Sequence, residues 1–107
     1  MSIELCAEYF KAFAAKDIEQ LSHLYAENIV LRDWEISAQG KADVLRANRN
    51  IFAAIENLGV EIIEVHVTAD VCACEIKIHI NDDVILVTDI IGFNSDNQIE
   101  FIRAYKG

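Results

Sequence analysis

Between Ile3 and Ala15 the apolar residues Ile3, Cys6, Ala7, Phe10 and Ala14 recur at helical spacing, and Leu5, Tyr9 and Phe13 form a second stripe beside them. Only Glu4, Glu8 and Lys11 form a clear polar face, so the pattern predicts a largely buried first helix. Lys16-Asp17 ends it. Asp17 followed by Gln20 has the form of a capping box for a second helix through Ile18, Leu21, Leu24 and Tyr25. After Asn28 the period changes to two: Ile29, Leu31, Asp33 and Glu35 fall on one side, with Val30, Arg32 and Trp34 on the other. That alternation predicts a short first strand. Ile36 to Gly40 reads as a loop, and Val44, Leu45, Asn48, Ile51, Phe52 and Ile55 mark a third helix from Lys41 that stops near Asn57 to Gly59. Asn48 is the polar member of its apolar stripe.

The rest of the chain has the composition of strands: Val60 to Thr68, Cys72 to Ile80, Val84 to Phe93 and Gln98 to Tyr105, joined by short polar turns. Short connections imply antiparallel neighbours. The order of elements predicts one α+β domain over residues 1–107, in which a curved antiparallel sheet wraps a layer of three N-terminal helices.

The strand from Val84 to Phe93 carries the strongest anomaly, because Asp89 stands at the centre of an apolar, β-branched run. An ionised carboxylate buried there costs several kcal/mol on the order-of-magnitude scale unless it is paired. The two resolutions are a salt bridge, with Arg103 or Arg46 as the available cations, or a carboxyl kept protonated by its apolar setting. Tyr9 on the buried first helix and Asp33 at the end of the first strand are the other polar groups pointing toward the layer between helices and sheet. One phenol and two carboxyls in an apolar cleft suit proton abstraction beside a carbonyl: a base removes the proton, and donors hold the enolate oxygen. Asp33, next to Arg32 and Glu35, is the candidate ionised base; Asp89 and Tyr9 are the candidate donors. Leu5, Phe13, Trp34, Phe52 and Phe93 are the candidate apolar wall.

Bulk properties narrow the classes of partner. The 107 residues are 53% hydrophobic with a formal charge of −9, which suits one well-filled core and argues against nucleic acid or an anionic membrane, both of which require clustered Lys and Arg. No apolar stretch approaches the roughly 18 residues of a membrane span, and Met1-Ser2-Ile3-Glu4 lacks the basic start of a signal peptide, so a cytoplasmic location is expected. Cys6, Cys72 and Cys74 are odd in number, and a Cys-x-Cys pair in a strand puts both thiols on one face, which predicts small buried apolar residues and no disulfide framework. The histidines are scattered, so no metal site is expected; a cross-strand pair of His66 and His79 is the one combination open.

The residues also carry a resemblance. Tyr9-Phe10, Lys16-Asp17-Ile18-Glu19, Leu24-Tyr25-Ala26-Glu27-Asn28, Leu31-Arg32-Asp33, Gly40-Lys41, Asp89-Ile90-Ile91-Gly92-Phe93 and Ile102-Arg103-Ala104-Tyr105 resemble nuclear transport factor 2-like proteins of the SnoaL-like and ketosteroid isomerase branch, over nearly the whole chain. The resemblance implies a cone-shaped, cystatin-like fold, a homodimer paired through the sheet, and catalysis without a cofactor. It places the isomerase's tyrosine, base and un-ionised aspartic acid on Tyr9, Asp33 and Asp89, and a tyrosine of its supporting hydrogen-bond network on Tyr25. The network's other tyrosine is Asn48 here, Trp34 replaces the proline after the base, and the loops rimming the pocket are shorter, which argues against a steroid-sized substrate. The expectation is a cofactor-independent isomerase or cyclase acting on a small apolar carbonyl compound. The alternative is a noncatalytic module of the same fold that binds a small ligand or dimerises.

Overall fold

Lys16 takes a left-handed conformation (φ 56°) that no helix continues through, and it separates α1 (Ser2–Ala14) from α2 (Ile18–Leu24) in a computed structural model that describes residues 2–107. The Lys16 ammonium donates to the carbonyl oxygens of Ile55 and Glu56, tying this corner to the end of α3 (Lys41–Ala54). Asp17 caps α2 as its spacing predicts, with Oδ1 accepting from the Gln20 backbone N–H at 3.0 Å. The second helix is shorter than its apolar pattern. Tyr25 is its C-cap, already extended at φ −85° and ψ 137°, and opens β1 (Tyr25–Arg32).

The remaining strands are β2 (Ser37–Gln39), β3 (Leu58–Thr68), β4 (Val71–Ile80), β5 (Asp83–Phe93) and β6 (Ile99–Lys106). Together with β1 they form a six-stranded curved sheet in the order β2-β1-β6-β5-β4-β3. Two features differ from the sequence expectation. The segment read as a loop contains β2, whose three residues are too few to display a period; its pairing across the turn, Ser37 with Arg32, Ala38 with Leu31 and Gln39 with Val30, defines it. Moreover, β1 pairs with β6 in parallel, whereas every other neighbour is antiparallel. The short-connection argument governs the meander from β3 to β6 but not two strands separated by that whole meander.

One face of the sheet carries the core. Cys72, Cys74 and Ile76 of β4, Val87 and Ile91 of β5, and Ile99 and Ile102 of β6 are buried, and α1 lays Cys6, Tyr9 and Phe10 into the same cluster. The Cys-x-Cys pair does share a face, and all three thiols are free and buried. Gly40, at φ 87° before α3, supplies a backbone conformation that disfavours any side chain. None of the described helices is long and apolar enough to cross a membrane.

Candidate active site

The carboxyl of Asp89 projects from the middle of β5 onto the helix-covered face, where the register sets Cys74 on one side and Ala104 on the other. Both neighbours are small, which leaves room for a polar group and a hollow between sheet and helices. Asp89 is 6% exposed. Neither salt bridge weighed from the sequence forms: Arg46 pairs with Asp43 at 3.1 Å, and Arg103 lies with its guanidinium 4.4 Å from the centroid of the Phe101 ring. Burial, and after it the charge of Asp33, push the Asp89 carboxyl up to about 7. Near neutral pH a large fraction therefore carries its proton and can donate a hydrogen bond.

Tyr9 faces the same hollow from α1 and is 5% exposed. Its ring packs against Phe10, Phe13 and Tyr25 at centroid distances of 5.1, 6.1 and 6.5 Å. Burial foremost, then the proximity of Tyr25 and Asp89, hold its phenol well above the ordinary tyrosine range, so the group remains a donor. Behind it, Tyr25 Oη donates to Asn48 Oδ1 at 2.7 Å with both residues buried. A buried hydroxyl bonded to a buried amide satisfies two groups that would each cost about 1–3 kcal/mol if left alone, and it fixes the Asn48 rotamer. Burial raises Tyr25, while the Asn48 hydrogen bond works in the opposite direction.

Asp33 follows the last residue of β1 and shapes the turn into β2. Its Oδ1 accepts from the backbone N–H groups of Glu35 and Ile36 at 2.7 and 2.6 Å, and its own N–H donates to the Ile36 carbonyl at 2.9 Å. This is a local Asx turn. It leaves Oδ2 outside the backbone bonding and fixes where the carboxylate sits. Trp34, beside it, is 41% exposed, with the Lys106 ammonium 5.9 Å from its ring centroid.

Tyr9, Asp33 and Asp89 line a single cavity of about 60 Å³, together with Phe13, Trp34 and Asn48. It adjoins a second hollow of about 300 Å³, and the two share Phe13, Asp33, Trp34, Ile51 and Ile78. Tyr9, Asn48 and Asp89 belong to the inner chamber alone, while Asp33 stands at the junction. The outer vestibule is walled by Ile36, Ile55, Leu58, Ile80 and Ile85, with Glu35 and Lys106 as its other charged members. Donors inside, a carboxylate at the neck and an aliphatic vestibule outside are the arrangement a carbonyl compound needs if its oxygen is to enter first.

Four of the residues singled out from the sequence do not line the inner chamber. Tyr25 supports it through Asn48. Phe52 sits behind Phe13, edge-on at 5.2 Å, and Leu5 packs against the core elsewhere. Phe93 is buried, but it lies four residues beyond Asp89 on β5, about 13 Å along a strand, where its N–H bonds the Asp70 carbonyl. Helical and strand stripes mark burial, and burial alone does not distinguish a cavity wall from solid core. Conversely, Ile76 and Ile78 of β4 line the cavity and share a face with Cys72 and Cys74, a signal already present in the alternation of that strand.

The cross-strand pair of His66 and His79 that the sequence left open does not form: His66 is opposite Ala73, and His79 is opposite Gly59. Among the described residues the one grouping with metal-ligand character is Glu64, His66 and Glu75, all exposed, with His66 Nε2 at 3.7 and 3.8 Å from the two carboxylates. None of the three lines the cavity.

Several solved structures share the fold. A SnoaL-like protein of unknown function from Burkholderia thailandensis superposes with a TM-score of 0.88 at 19% identity, covering 97% of this chain and 92% of that one. A protein with a ketosteroid isomerase-like fold from Catenulispora acidiphila gives 0.85 at 17% identity over 95% and 84% of the two chains. A nuclear transport factor 2-like protein of unknown function from Cytophaga hutchinsonii gives 0.85 at 10% identity over 100% and 90%. No curated protein matches the chain. The family model for the SnoaL-like domain matches residues 6–101, almost the full length and every element from α1 to β6, and the chain therefore belongs to the SnoaL-like domain family.

Proposed function

We propose that this protein is a cofactor-independent enzyme, an isomerase or cyclase, that moves a proton next to the carbonyl of a small apolar compound. The observation that carries the reading is the lining of one apolar cavity by Tyr9, Asp33 and Asp89. Asp33 Oδ2 takes the proton from the carbon beside the carbonyl. The C–H electron pair becomes a carbon–carbon double bond as the carbonyl π pair moves onto oxygen. The Tyr9 hydroxyl and protonated Asp89 donate to that oxygen, and Asp33 returns its proton to carbon as the carbonyl re-forms. The donors are already desolvated, so the developing charge meets fixed dipoles in a low-dielectric setting where they act most strongly. Pairing of two copies through the outer sheet face belongs to the same reading, supported by Ile63, Val84, Leu86 and Tyr105, which are 49–52% exposed.

The test is Asp33→Asn, which keeps an Oδ1 acceptor for the turn and removes the base. Exchange of the acidic C–H protons of small ketones and enones in D2O, followed by NMR, should fall by at least 100-fold, while phenols, whose oxygen mimics an enolate, still bind within about threefold. Unchanged exchange would remove Asp33 from the chemistry. The noncatalytic reading draws on the Asx turn, since two backbone hydrogen bonds are by themselves a structural role for Asp33; it predicts phenol binding with no exchange in either protein.

A further inference from the structure

The cavity's two compartments differ in size and in what they present, and this constrains the shape of the compound they accept. The inner chamber, with Tyr9, Asn48 and Asp89, measures about 60 Å³. That volume is well under the roughly 150 Å³ in which a buried apolar cavity holds one benzene ring. Protein interiors resist expansion, because neighbouring side chains are close-packed and extra methylenes force strained rotamers. On the sheet side the wall includes Ile76, Val87 and Ile102, each 4% exposed or less, and on the helix side Tyr9, Phe10 and Asn48, each 5% exposed or less, so the chamber has little freedom to widen.

We infer that the substrate's reacting carbonyl is at an unhindered tip of the molecule, and that only the oxygen and one or two adjoining carbons enter the inner chamber while the apolar body stays in the vestibule. This rests on the proton-transfer reading of the site. The position of Asp33 at the junction then places the carbon that loses its proton at the neck, one bond outward from the carbonyl carbon. The vestibule, about 300 Å³, is at the lower end of ligand pockets, which run from about 300 to 1,000 Å³. Its aliphatic wall suits a short-chain or single-ring body. A carbonyl flanked on both sides by substituents, or fused inside a polycyclic frame, is too wide for the chamber that Tyr9 shares with Ile76 and Val87.

Two isomeric phenols separate this claim from the reading beneath it. In 3,5-dimethylphenol the oxygen stands free, and in 2,6-dimethylphenol methyl groups flank it; composition is identical. Titration of the wild-type protein at pH 6 should show the 3,5-isomer binding at least tenfold more tightly. Val87→Ala, which enlarges the inner chamber, should reduce that ratio to about threefold or less, with Ile76→Val as a milder substitute if the alanine variant unfolds. Equal affinity of the two isomers in the wild type overturns the tip-first inference and leaves the site reading standing. A preference that persists unchanged in the enlarged chamber also overturns it, because the discrimination would then reside in the phenol. Failure of both isomers to bind overturns the site reading together with the inference.

Discussion

Replacing Asp89 by asparagine keeps the size and shape of the side chain and removes its titration, so it isolates what the buried carboxyl does to stability. In the folded protein the group ionises at about 7, against an ordinary aspartate value of 3.8. Below pH ~3 the carboxyl is protonated in both the folded and unfolded chain, and its neutral form costs little. As pH rises the unfolded chain releases the proton first, and stability falls progressively until the folded carboxyl also ionises near pH 7; above that the loss is constant. A rise of roughly three pH units at about 1.4 kcal/mol each gives an upper estimate of about 4 kcal/mol. At 6% exposure solvent screening reduces this little, although side-chain relaxation will. The substituted amide does not titrate, and the other Asp and Glu residues of the wild type, apart from Asp33, whose charge bears on Asp89, act alike in both proteins. The difference between wild type and Asp89→Asn should therefore grow in favour of the variant from pH 4 to pH 8. With a urea m-value of about 1.5 kcal/mol per M, the midpoints should separate by roughly 2–3 M over that range. Urea unfolding at pH 4, 5, 6, 7, 8 and 9 measures it. A midpoint difference that stays flat across the series would refute the buried, proton-holding carboxyl and with it the donor assigned to the oxyanion.

Two further perturbations probe the surroundings of that group and the outer face of its strand. Asn48→Ala leaves the Tyr25 hydroxyl without the partner it has at 2.7 Å, and should cost about 1–3 kcal/mol in thermal or urea unfolding; Tyr25→Phe combined with Asn48→Ala should cost less than the two single changes added, and strict additivity would show that the bond is not formed. Leu86→Glu places a charge on the exposed outer face of β5 and should convert a dimer to monomer by sedimentation without lowering the melting temperature of the monomer; a wild type that is monomeric at about 100 µM contradicts sheet-face pairing, since stable interfaces of this class hold well below that concentration.

Much of this architecture is legible along the chain because it follows from short-range periodicity. The change from helical to alternate spacing after Asn28, the Asp17 cap, the shared face of Cys72 and Cys74, and the polar intrusion of Asp89 into an apolar strand all depend on residues within a few positions of one another. The element order that makes the chain α+β is contained in those signals, and so is the suspicion attached to Tyr9, Asp33 and Asp89.

What required the tertiary structure was everything set by register and curvature. Local pattern identifies a buried face but not what lies opposite it. Thus Asp89 received Cys74 and Ala104 as small neighbours, which opened a hollow, whereas Phe93 on the same strand and Phe52 on α3 ended in solid core. The pairing of Tyr25 with Asn48 joins residues 23 positions apart, and the parallel contact of β1 with β6 spans most of the chain. The division of the cavity into a small chamber holding Tyr9, Asn48 and Asp89 and a larger vestibule comes from the packing of α1, α3 and the surrounding strands around one point. The sequence by itself determined which groups are candidates for chemistry; the packing decided which of them meet and how much space is left between them, because volume is a property of all the surrounding side chains together and of no segment alone.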